Sequence, residues 1–461
     1  MNNVIVGSGI SGLISGLLLS KNGHKVTIIE REENIGGLLK SYNYGDFGLF
    51  DYGMHNFLET GIPEIDQLIL DLFPLNQWNI LEGEKRDIAG AYFNGRIQFN
   101  SPYIDIRHFD TKYINDLRKH FKRSEVNFGK SPSNAEEYTN ERFGKKLSEM
   151  TSNIALKKIF QKPPKDLDVG AINLTPLSRL VISNEEQTLE DYKSEFLRER
   201  IAFPEQKKLP LELSSGRRGY YPKQFGIFRV AEALKKEILS NGGNILTSSS
   251  VKKIRIDQNK IDKITVNNKD RIEEIEDVNS LIWTANIFGL GNILDYSFEG
   301  YEYDQPLKTY VVNLLVDRES KLRDLYYFFC YEKGFRTFRL TNYSAYCTNA
   351  IRDGLYPLSL ELLIDPSENL SSEMIEKIAL EELKQFDVLK EKTSIKFIKV
   401  ERLVSGIPML TINNTNSMKS IRNKIKKEQI DNLIIAGVLS EDDLFFQTDV
   451  LKDVYNKILK I

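Results

Sequence analysis

Apolar runs and helical spacing alternate in the first thirty residues of the chain. Residues 3–6 form an apolar run typical of a strand buried on both faces, and residues 13–21 repeat apolar side chains at helical spacing. Residues 25–30 form a second apolar run, which ends in the acid Glu30. The pattern predicts a strand, a helix and a second strand, in the order of a parallel βαβ unit.

Similar patterns recur far along the chain. Residues 228–240 predict an amphipathic helix, and a turn at residues 241–243 follows it. Further elements are predicted as strands at 244–247, 251–256, 280–285 and 432–437, and as a helix from about Thr448. We therefore expect one nucleotide-binding domain to be assembled from separated pieces of the chain.

A glycine-rich sequence joins the first predicted strand to the first helix. Gly7-Ser8-Gly9-Ile10-Ser11-Gly12 is a GxGxxG motif in the context that dinucleotide binding requires. Gly7 makes the tight turn, Gly9 lets a pyrophosphate approach the backbone, and Gly12 lets the helix lie close to the sheet. The phosphates would face the helix N-terminus, and Glu30 would bind a ribose. A surface turn is the alternative for the loop alone, but the flanking elements favour dinucleotide binding.

A second glycine pair, Gly36-Gly37, follows Glu30 by six residues. With it the N-terminus resembles the FAD-dependent amine oxidase and protoporphyrinogen oxidase-like superfamily, which is related to UDP-galactopyranose mutase. The resemblance implies that FAD is the cofactor. It also implies the cofactor-binding residues, which are Gly7, Gly9, Ile10, Ser11, Gly12, Glu30, Arg31, Gly36, Gly37, Leu38, Leu39, His55, Val251, Gly437, Phe446, Gln447 and Thr448.

Two further segments carry the candidate catalytic residues. The sequence from Phe50 to Phe57 resembles the F-D-x-G-x-H-x-F element that approaches the flavin in sugar mutases and related oxidases, which makes His55 a candidate. An imidazole can hydrogen-bond a reduced flavin or shuttle a proton near neutral pH, although it could also only brace the loop. Arg339 resembles an arginine that lies over the active site in this superfamily, where it could be catalytic or bind substrate.

Arg179 is a second candidate for substrate binding. It falls where the mutases place arginines near a substrate diphosphate, and a surface ion pair is the alternative explanation. The sequence departs from the mutases at two positions, since Leu58 replaces a second histidine and Val438 replaces an arginine after Gly437. Both departures argue against a standard sugar mutase.

Composition excludes several other classes of protein. The 461 residues are 41% hydrophobic and 28% charged, which suits two or three domains, and a net charge of −2 gives no global field for nucleic acid. Two cysteines are too few for a disulfide framework or a zinc site, so we expect no metal. No stretch approaches the ~20 apolar residues of a transmembrane helix. We expect a cytoplasmic enzyme with a small-molecule substrate and no nucleic-acid partner.

Taken together, these features predict an α/β fold with a discontinuous Rossmann-like FAD-binding domain and an inserted mixed-sheet and helical substrate domain. The FAD-binding domain is expected at 1–75, 215–295 and 400–461, and the substrate-binding domain at 76–214 and 296–399.

The predicted function is that of an FAD-dependent oxidoreductase with hydride transfer to flavin N5, on a substrate that could be a sugar or nucleotide-sugar of polysaccharide biosynthesis. A non-redox flavin-dependent sugar mutase and a flavin-holding protein without turnover are the alternatives.

Overall fold

The computed structural model describes residues 2–86, 89–124, 131–269, 271–404 and 406–461. Within these ranges no helix is both long enough and apolar enough to span a membrane. Cys330 and Cys347 are buried free thiols.

The described residues contain both helices and strands. In the described residues the helices are α1 (Ile10–Lys21), α2 (Pro63–Leu70), α3 (Thr111–Ser124), α4 (Ala135–Phe143), α5 (Lys145–Met150), α6 (Ser152–Phe160), α7 (Gly170–Asn173), α8 (Glu185–Asp191), α9 (Glu195–Arg198), α10 (Phe228–Ser240), α11 (Ile287–Ile293), α12 (Tyr343–Tyr346), α13 (Ser372–Gln385), α14 (Ile412–Lys427) and α15 (Gln447–Ile458). The strands are β1 (Asn2–Val6), β2 (Val26–Ile29), β3 (Ser41–Asn43), β4 (Leu49–Asp51), β5 (Phe57–Leu58), β6 (Trp78–Leu81), β7 (Ala89–Phe93), β8 (Arg96–Gln98), β9 (Ile104–Asp105), β10 (Leu180–Val181), β11 (Gly219–Pro222), β12 (Asn244–Leu246), β13 (Ser249–Asp257), β14 (Lys260–Asn268), β15 (Arg271–Glu276), β16 (Val278–Trp283), β17 (Lys308–Val316), β18 (Tyr327–Cys330), β19 (Thr337–Asn342), β20 (Tyr356–Ile364), β21 (Ile395–Arg402) and β22 (Leu433–Ile435).

A five-stranded parallel sheet contains the N-terminal strand. Its order is β12-β2-β1-β16-β22, so strands from three distant parts of the sequence lie side by side. Apolar side chains of α1, α10 and α15 pack with Ile5, Ile28 and Ile282 in one core. Helices α11 and α14 pack with Val4 and Leu281 in a second core. Helices therefore cover both faces, which explains why the strands are almost continuously apolar.

A seven-stranded mixed sheet forms the second layer, in the order β21-β17-β20-β19-β18-β7-β8. One face is apolar and packs against α13. Residues opposite each other on neighbouring strands share a face. The register therefore places on the other face the polar residues Asn313, Thr341, Ser359, Arg339 and Glu361. This polar face lies against the loop that contains His55.

The segment from α3 to α9 is mostly helical and has a core of its own, which includes Phe143, Leu156 and Phe160. The β7–β8 hairpin turns at Asn94 and Gly95, which have φ values of 51° and 68°. Positive φ at both central residues is the geometry expected of an Asn-Gly turn.

The predicted α/β fold is confirmed, with a Rossmann-like parallel sheet and a separate mixed sheet. Every predicted strand and helix of the parallel sheet is present, and α10 has the predicted bounds of residues 228–240. Helix α1 begins three residues earlier than its apolar spacing indicated, directly after Gly9.

Candidate cofactor and active site

The loop between β1 and α1 is held by close backbone contacts. Gly7 has a φ of 100°, and its amide donates to the carbonyl of Ile29 at 2.9 Å. A Cβ on Gly7 would lie 2.7 Å from Oγ1 of Thr284, and one on Gly12 would overlap the carbonyl oxygen of Gly7. Glycine at these two positions therefore permits the tight turn and the close packing of α1 against the loop.

Gly9 differs from the other two because no heavy atom lies within 4 Å of a Cβ built on it. It is the N-cap of α1, with φ −66° and ψ 179°, a conformation open to any residue. The first turn of α1 has no side-chain cap and no acidic residue. Its amide groups lack intrahelical acceptors, so the helix terminus and the open space over Gly9 are suited to an anion.

The second glycine pair lies directly on this loop. The amide of Gly36 donates to the carbonyl of Ser8 at 2.9 Å, and a Cβ on Gly37 would lie 3.0 Å from Cα of Gly9. Both glycines of the pair have positive φ. The two motifs, thirty residues apart in the sequence, thus form one continuous backbone surface.

Glu30 binds the same loop through its carboxylate. Oε2 accepts from the amide of Ser8 at 2.8 Å and from the Ser8 hydroxyl, while Oε1 accepts from the amide of Glu32 at 2.8 Å. A carboxylate oxygen can accept two bonds, so Oε1 keeps a lone pair for an outside donor such as a ribose hydroxyl. The structure thus adds to Glu30 a role that the sequence did not indicate, which is to fix Ser8.

The carboxyl ends of three parallel strands meet beside the loop. Oγ1 of Thr284, which follows β16, donates to the carbonyl of Val6 at 2.8 Å. Gly437, which follows β22, has a φ of 97°, and a Cβ on it would lie 3.2 Å from Oγ of Ser11. Sequence reasoning missed Thr284, although its place at the end of a predicted strand could have marked it.

The C-terminal helix α15 packs against α1 and begins beside the same edge. Phe446 is its N-cap and is 50% exposed, so it is not part of the core, and Gln447 and Thr448 follow in the first turn. No side chain caps this helix. Its first amides are therefore also unpaired within the helix.

The remaining predicted cofactor residues lie around this centre. Val251 is buried in β13, an edge strand whose first residue, Ser249, donates its amide to the carbonyl of Glu30 at 2.8 Å. Leu38 is exposed, whereas the side chain of Leu39 is buried. Arg31 is exposed and pairs with Glu32. The amide of Leu39 donates to the carbonyl of Gly36 at 2.8 Å, which closes the turn of the second glycine pair.

The structure brings the two candidate catalytic residues together. Gly53 has a φ of 132°, and a Cβ on it would lie 3.0 Å from Nη2 of Arg339 and 2.9 Å from Oε1 of Glu361. Arg339 donates through Nε to Oε1 of Glu361 at 2.6 Å and through Nη2 to Oε2 at 3.1 Å. His55, two residues after Gly53, lies close enough to feel the positive charge of Arg339.

Burial, together with the charge of Arg339, lowers the pKa of His55 to about 3. The imidazole is therefore neutral near pH 7, with one nitrogen as donor and the other as acceptor. Among the described residues, none forms a hydrogen bond with it. Its polar atoms are free to serve a bound molecule.

Glu361 is the residue of this cluster that sequence reasoning missed. It is 5% exposed and lies in the apolar run of β20. A single acidic residue in an apolar strand needs a buried partner, and this requirement could have marked Glu361 as a site residue from the sequence. Burial disfavours the charged form of Arg339, but the adjacent Glu361 carboxylate outweighs it, so the pKa of Arg339 is raised.

Arg179 lies elsewhere, in the turn before β10 of the helical segment. Its charge acts on Tyr192 of that segment. No contact described in the structure joins Arg179 to His55 or Arg339. Its substrate-binding role stays a prediction.

Comparison with known proteins supports the reading of the N-terminal region. Residues 5–72 match the family described as NAD(P)-binding Rossmann-like domain. Over 270 residues the chain is 26% identical to 1-hydroxycarotenoid 3,4-desaturase from Flavobacterium sp. (strain P99-3), which covers 57% of this chain and 53% of that protein. The match therefore spans about half the length of this relative.

Solved structures resemble the chain over almost its whole length. A reduced UDP-galactopyranose mutase aligns with a TM-score of 0.75 and 18% identity, covering 99% of this chain and 94% of that one. A protein from Exiguobacterium sp. 255-15 assigned as a protoporphyrinogen oxidase aligns with a TM-score of 0.66 and 15% identity, covering 100% and 98%. The chain thus shares its fold with these two structures, residues 5–72 match a Rossmann-like dinucleotide-binding family, and a desaturase is among its relatives.

Proposed function

We propose that the chain is an FAD-dependent oxidoreductase that removes a hydride from a small-molecule substrate. The observation that carries the proposal is the open space over Gly9 at an uncapped helix N-terminus. The second glycine pair and Glu30 lie against the same loop. A dinucleotide needs these three features together, since it carries a pyrophosphate and a ribose.

The residues present fit FAD. The loop of residues 7–12 would hold the pyrophosphate, Glu30 the ribose, and the backbone of Val251 the adenine. The N-terminus of α15 would face the polar edge of the flavin ring. When bound, FAD supplies a hydride acceptor at N5.

The side chains near the proposed flavin position would bind and orient the substrate. Glu361 holds two of the three guanidinium nitrogens of Arg339, and no described residue bonds Nη1. Nη1 can therefore donate to a substrate oxygen. Neutral His55 can accept a hydrogen bond at one ring nitrogen and donate one from the other.

We propose a polar substrate, such as a sugar or nucleotide-sugar of polysaccharide biosynthesis. The sheet face beside His55 carries Asn313, Thr341 and Ser359 next to the Arg339–Glu361 pair. A hydroxyl-bearing ligand could accept from Nη1 of Arg339 and bond the ring nitrogens of His55, whereas a hydrocarbon would leave these groups unpaired.

A flavin-dependent sugar mutase is the second candidate, favoured by the TM-score of 0.75 to UDP-galactopyranose mutase. Two side chains count against it. Leu58 and Val438 stand where the mutases have a histidine and an arginine, and both are exposed apolar side chains that can neither donate nor accept a hydrogen bond.

Anaerobic mixing of the flavin-loaded protein with candidate substrates distinguishes the two functions. We expect a nucleotide-sugar or sugar to bleach the flavin absorbance, with amines and a carotenoid tested alongside. Turnover only after prior reduction, with the flavin returned unchanged, would indicate the mutase. If the flavin neither bleaches nor supports turnover with any of these compounds, the proposed oxidoreductase function is wrong.

A further inference from the structure

Asp51 is the last residue of β4, directly before the loop that contains His55, and it is completely buried. Its Oδ1 accepts from the hydroxyl of Ser41 and from the amide of Ile227 at 3.0 Å. Its Oδ2 accepts from the hydroxyl of Tyr221 at 2.6 Å, and that hydroxyl accepts from the amide of Gly226 at 3.0 Å. One carboxylate thus joins β3, β11 and the start of α10.

The backbone of Asp51 is bound by α12, the short helix that follows β19 of the mixed sheet. The hydroxyl of Tyr343 lies 3.0 Å from the carbonyl oxygen of Asp51, to which it donates, and 3.0 Å from Oγ of Ser359. Two residues later, Gly53 meets the Arg339–Glu361 pair. The start and middle of the loop are therefore bound by α12 and by the polar face of the mixed sheet.

We propose that Asp51 is a positioning residue that holds the His55 loop against the Arg339–Glu361 pair. Three donors converge on its carboxylate, so the ionised form fits this site better than a neutral one. The inference depends on the proposed function only in assigning His55 to the active site. The placement of the loop itself can be tested without cofactor.

Other titratable groups around Asp51 come from several elements. Arg229 of α10 acts on it with a positive charge, and Tyr221 of β11, Tyr343 and Tyr346 of α12, and Cys347 also face it. Burial raises the pKa of Asp51 to about 6, although its three hydrogen bonds oppose that rise. The carboxylate is therefore mostly ionised at pH 7 and remains so only while its donors stay in place.

Asp51→Asn tests the positioning role without a large change in volume. An amide has one acceptor oxygen and one donor nitrogen, so it cannot accept from all three donors as the carboxylate does. The loop should then relax away from Arg339. The direct readout is the pKa of His55, because burial and, after it, the nearby guanidinium lower that pKa.

The pKa of His55 can be measured by NMR of ¹⁵N-histidine-labelled apoprotein, because the chain has only four histidines and their signals can be resolved. The signal that is lost in His55→Ala is assigned to His55. In the wild-type protein His55 should stay neutral well below its ordinary pKa of 6.5. In Asp51→Asn its pKa should rise by about one unit or more toward that value. A structural defect elsewhere would not move this signal.

Two more variants keep the test decisive. Tyr343→Phe removes only the hydroxyl that binds the Asp51 carbonyl, and it should raise the His55 pKa in the same direction even if Asp51→Asn fails to fold. Asp262→Asn, at an exposed carboxylate paired with Arg255, is the matched control and should leave His55 unchanged. Unaltered His55 titration in folded Asp51→Asn and Tyr343→Phe would overturn the proposal. Failure of the protein to bind FAD would instead refute the proposed function alone.

Discussion

Gly9→Ala separates cofactor binding from folding at a single position. Gly9 has backbone angles that alanine adopts without strain, and its new methyl group would meet no heavy atom within 4 Å. Gly→Ala at such a site changes the free energy of unfolding by about +0.4 to +1 kcal/mol through the unfolded chain. The apoprotein should therefore be as stable as the wild type, or slightly more stable.

The same methyl group should weaken FAD binding. It would project into the space through which the pyrophosphate must approach the amides of α1. Displacing the phosphate from one charge-assisted hydrogen bond costs about 1.5–3 kcal/mol. That loss corresponds to a dissociation constant about 10- to 150-fold higher.

The assay is a fluorescence titration of apoprotein with FAD, accompanied by thermal unfolding of the same samples. Gly289→Ala is the matched control, because Gly289 lies in α11 and a Cβ on it would make only an ordinary 3.5 Å contact with Trp283 of β16. The control should bind FAD with wild-type affinity. If stable Gly9→Ala also bound FAD as tightly as the wild type, the phosphates would not lie over Gly9.

Four further predictions concern the proposed ribose-binding residue Glu30 and the cluster of His55, Arg339 and Glu361. Glu30→Ala should lower flavin retention after gel filtration, since it removes an acceptor for a ribose hydroxyl and the bonds that fix the loop; full retention would contradict the ribose assignment. Glu361→Gln should lower the free energy of unfolding in urea by about 3 kcal/mol, because it leaves the charge of Arg339 buried without its partner; an unchanged midpoint would show that the pair is not stabilising. His55→Ala should lower turnover and leave bound FAD intact, and equal activity would remove His55 from the catalytic residues. Below pH 6.5 the unfolded chain binds a proton on His55, whereas the folded protein binds none there until the pH is near 3. The free energy of unfolding therefore decreases as the pH falls from about 6.5 to about 3. His55→Ala should therefore show a shallower fall in stability with acid, and an identical slope would mean that His55 is not held neutral.

Features encoded by neighbouring residues could be predicted from the sequence. The Asn94-Gly95 turn and the bounds of α10 follow from local backbone preference and from spacing along one helix face. The glycine loop was recognisable because its strand, helix and acid lie within thirty residues. The position of Gly9 as an open N-cap agrees with that reading.

Pairings between distant residues could not be predicted in the same way. Asp51 and Tyr221 are 170 positions apart, and their hydrogen bond depends on how β4 and β11 are brought together in three dimensions. Glu361 meets Arg339 through the register of β19 and β20, which no local pattern specifies. A polar residue in an apolar strand indicates that it has a buried partner, but only the three-dimensional fold shows which residue that partner is.

The central claim is that the N-terminal backbone surface and Glu30 bind the adenosine diphosphate half of FAD. The most direct measurement is the flavin content of the purified protein, followed by calorimetric titration of the apoprotein with FAD. The account predicts a yellow protein that carries one FAD per chain, or an apoprotein that takes it up to that ratio. A folded, colourless protein that binds no added FAD would contradict it.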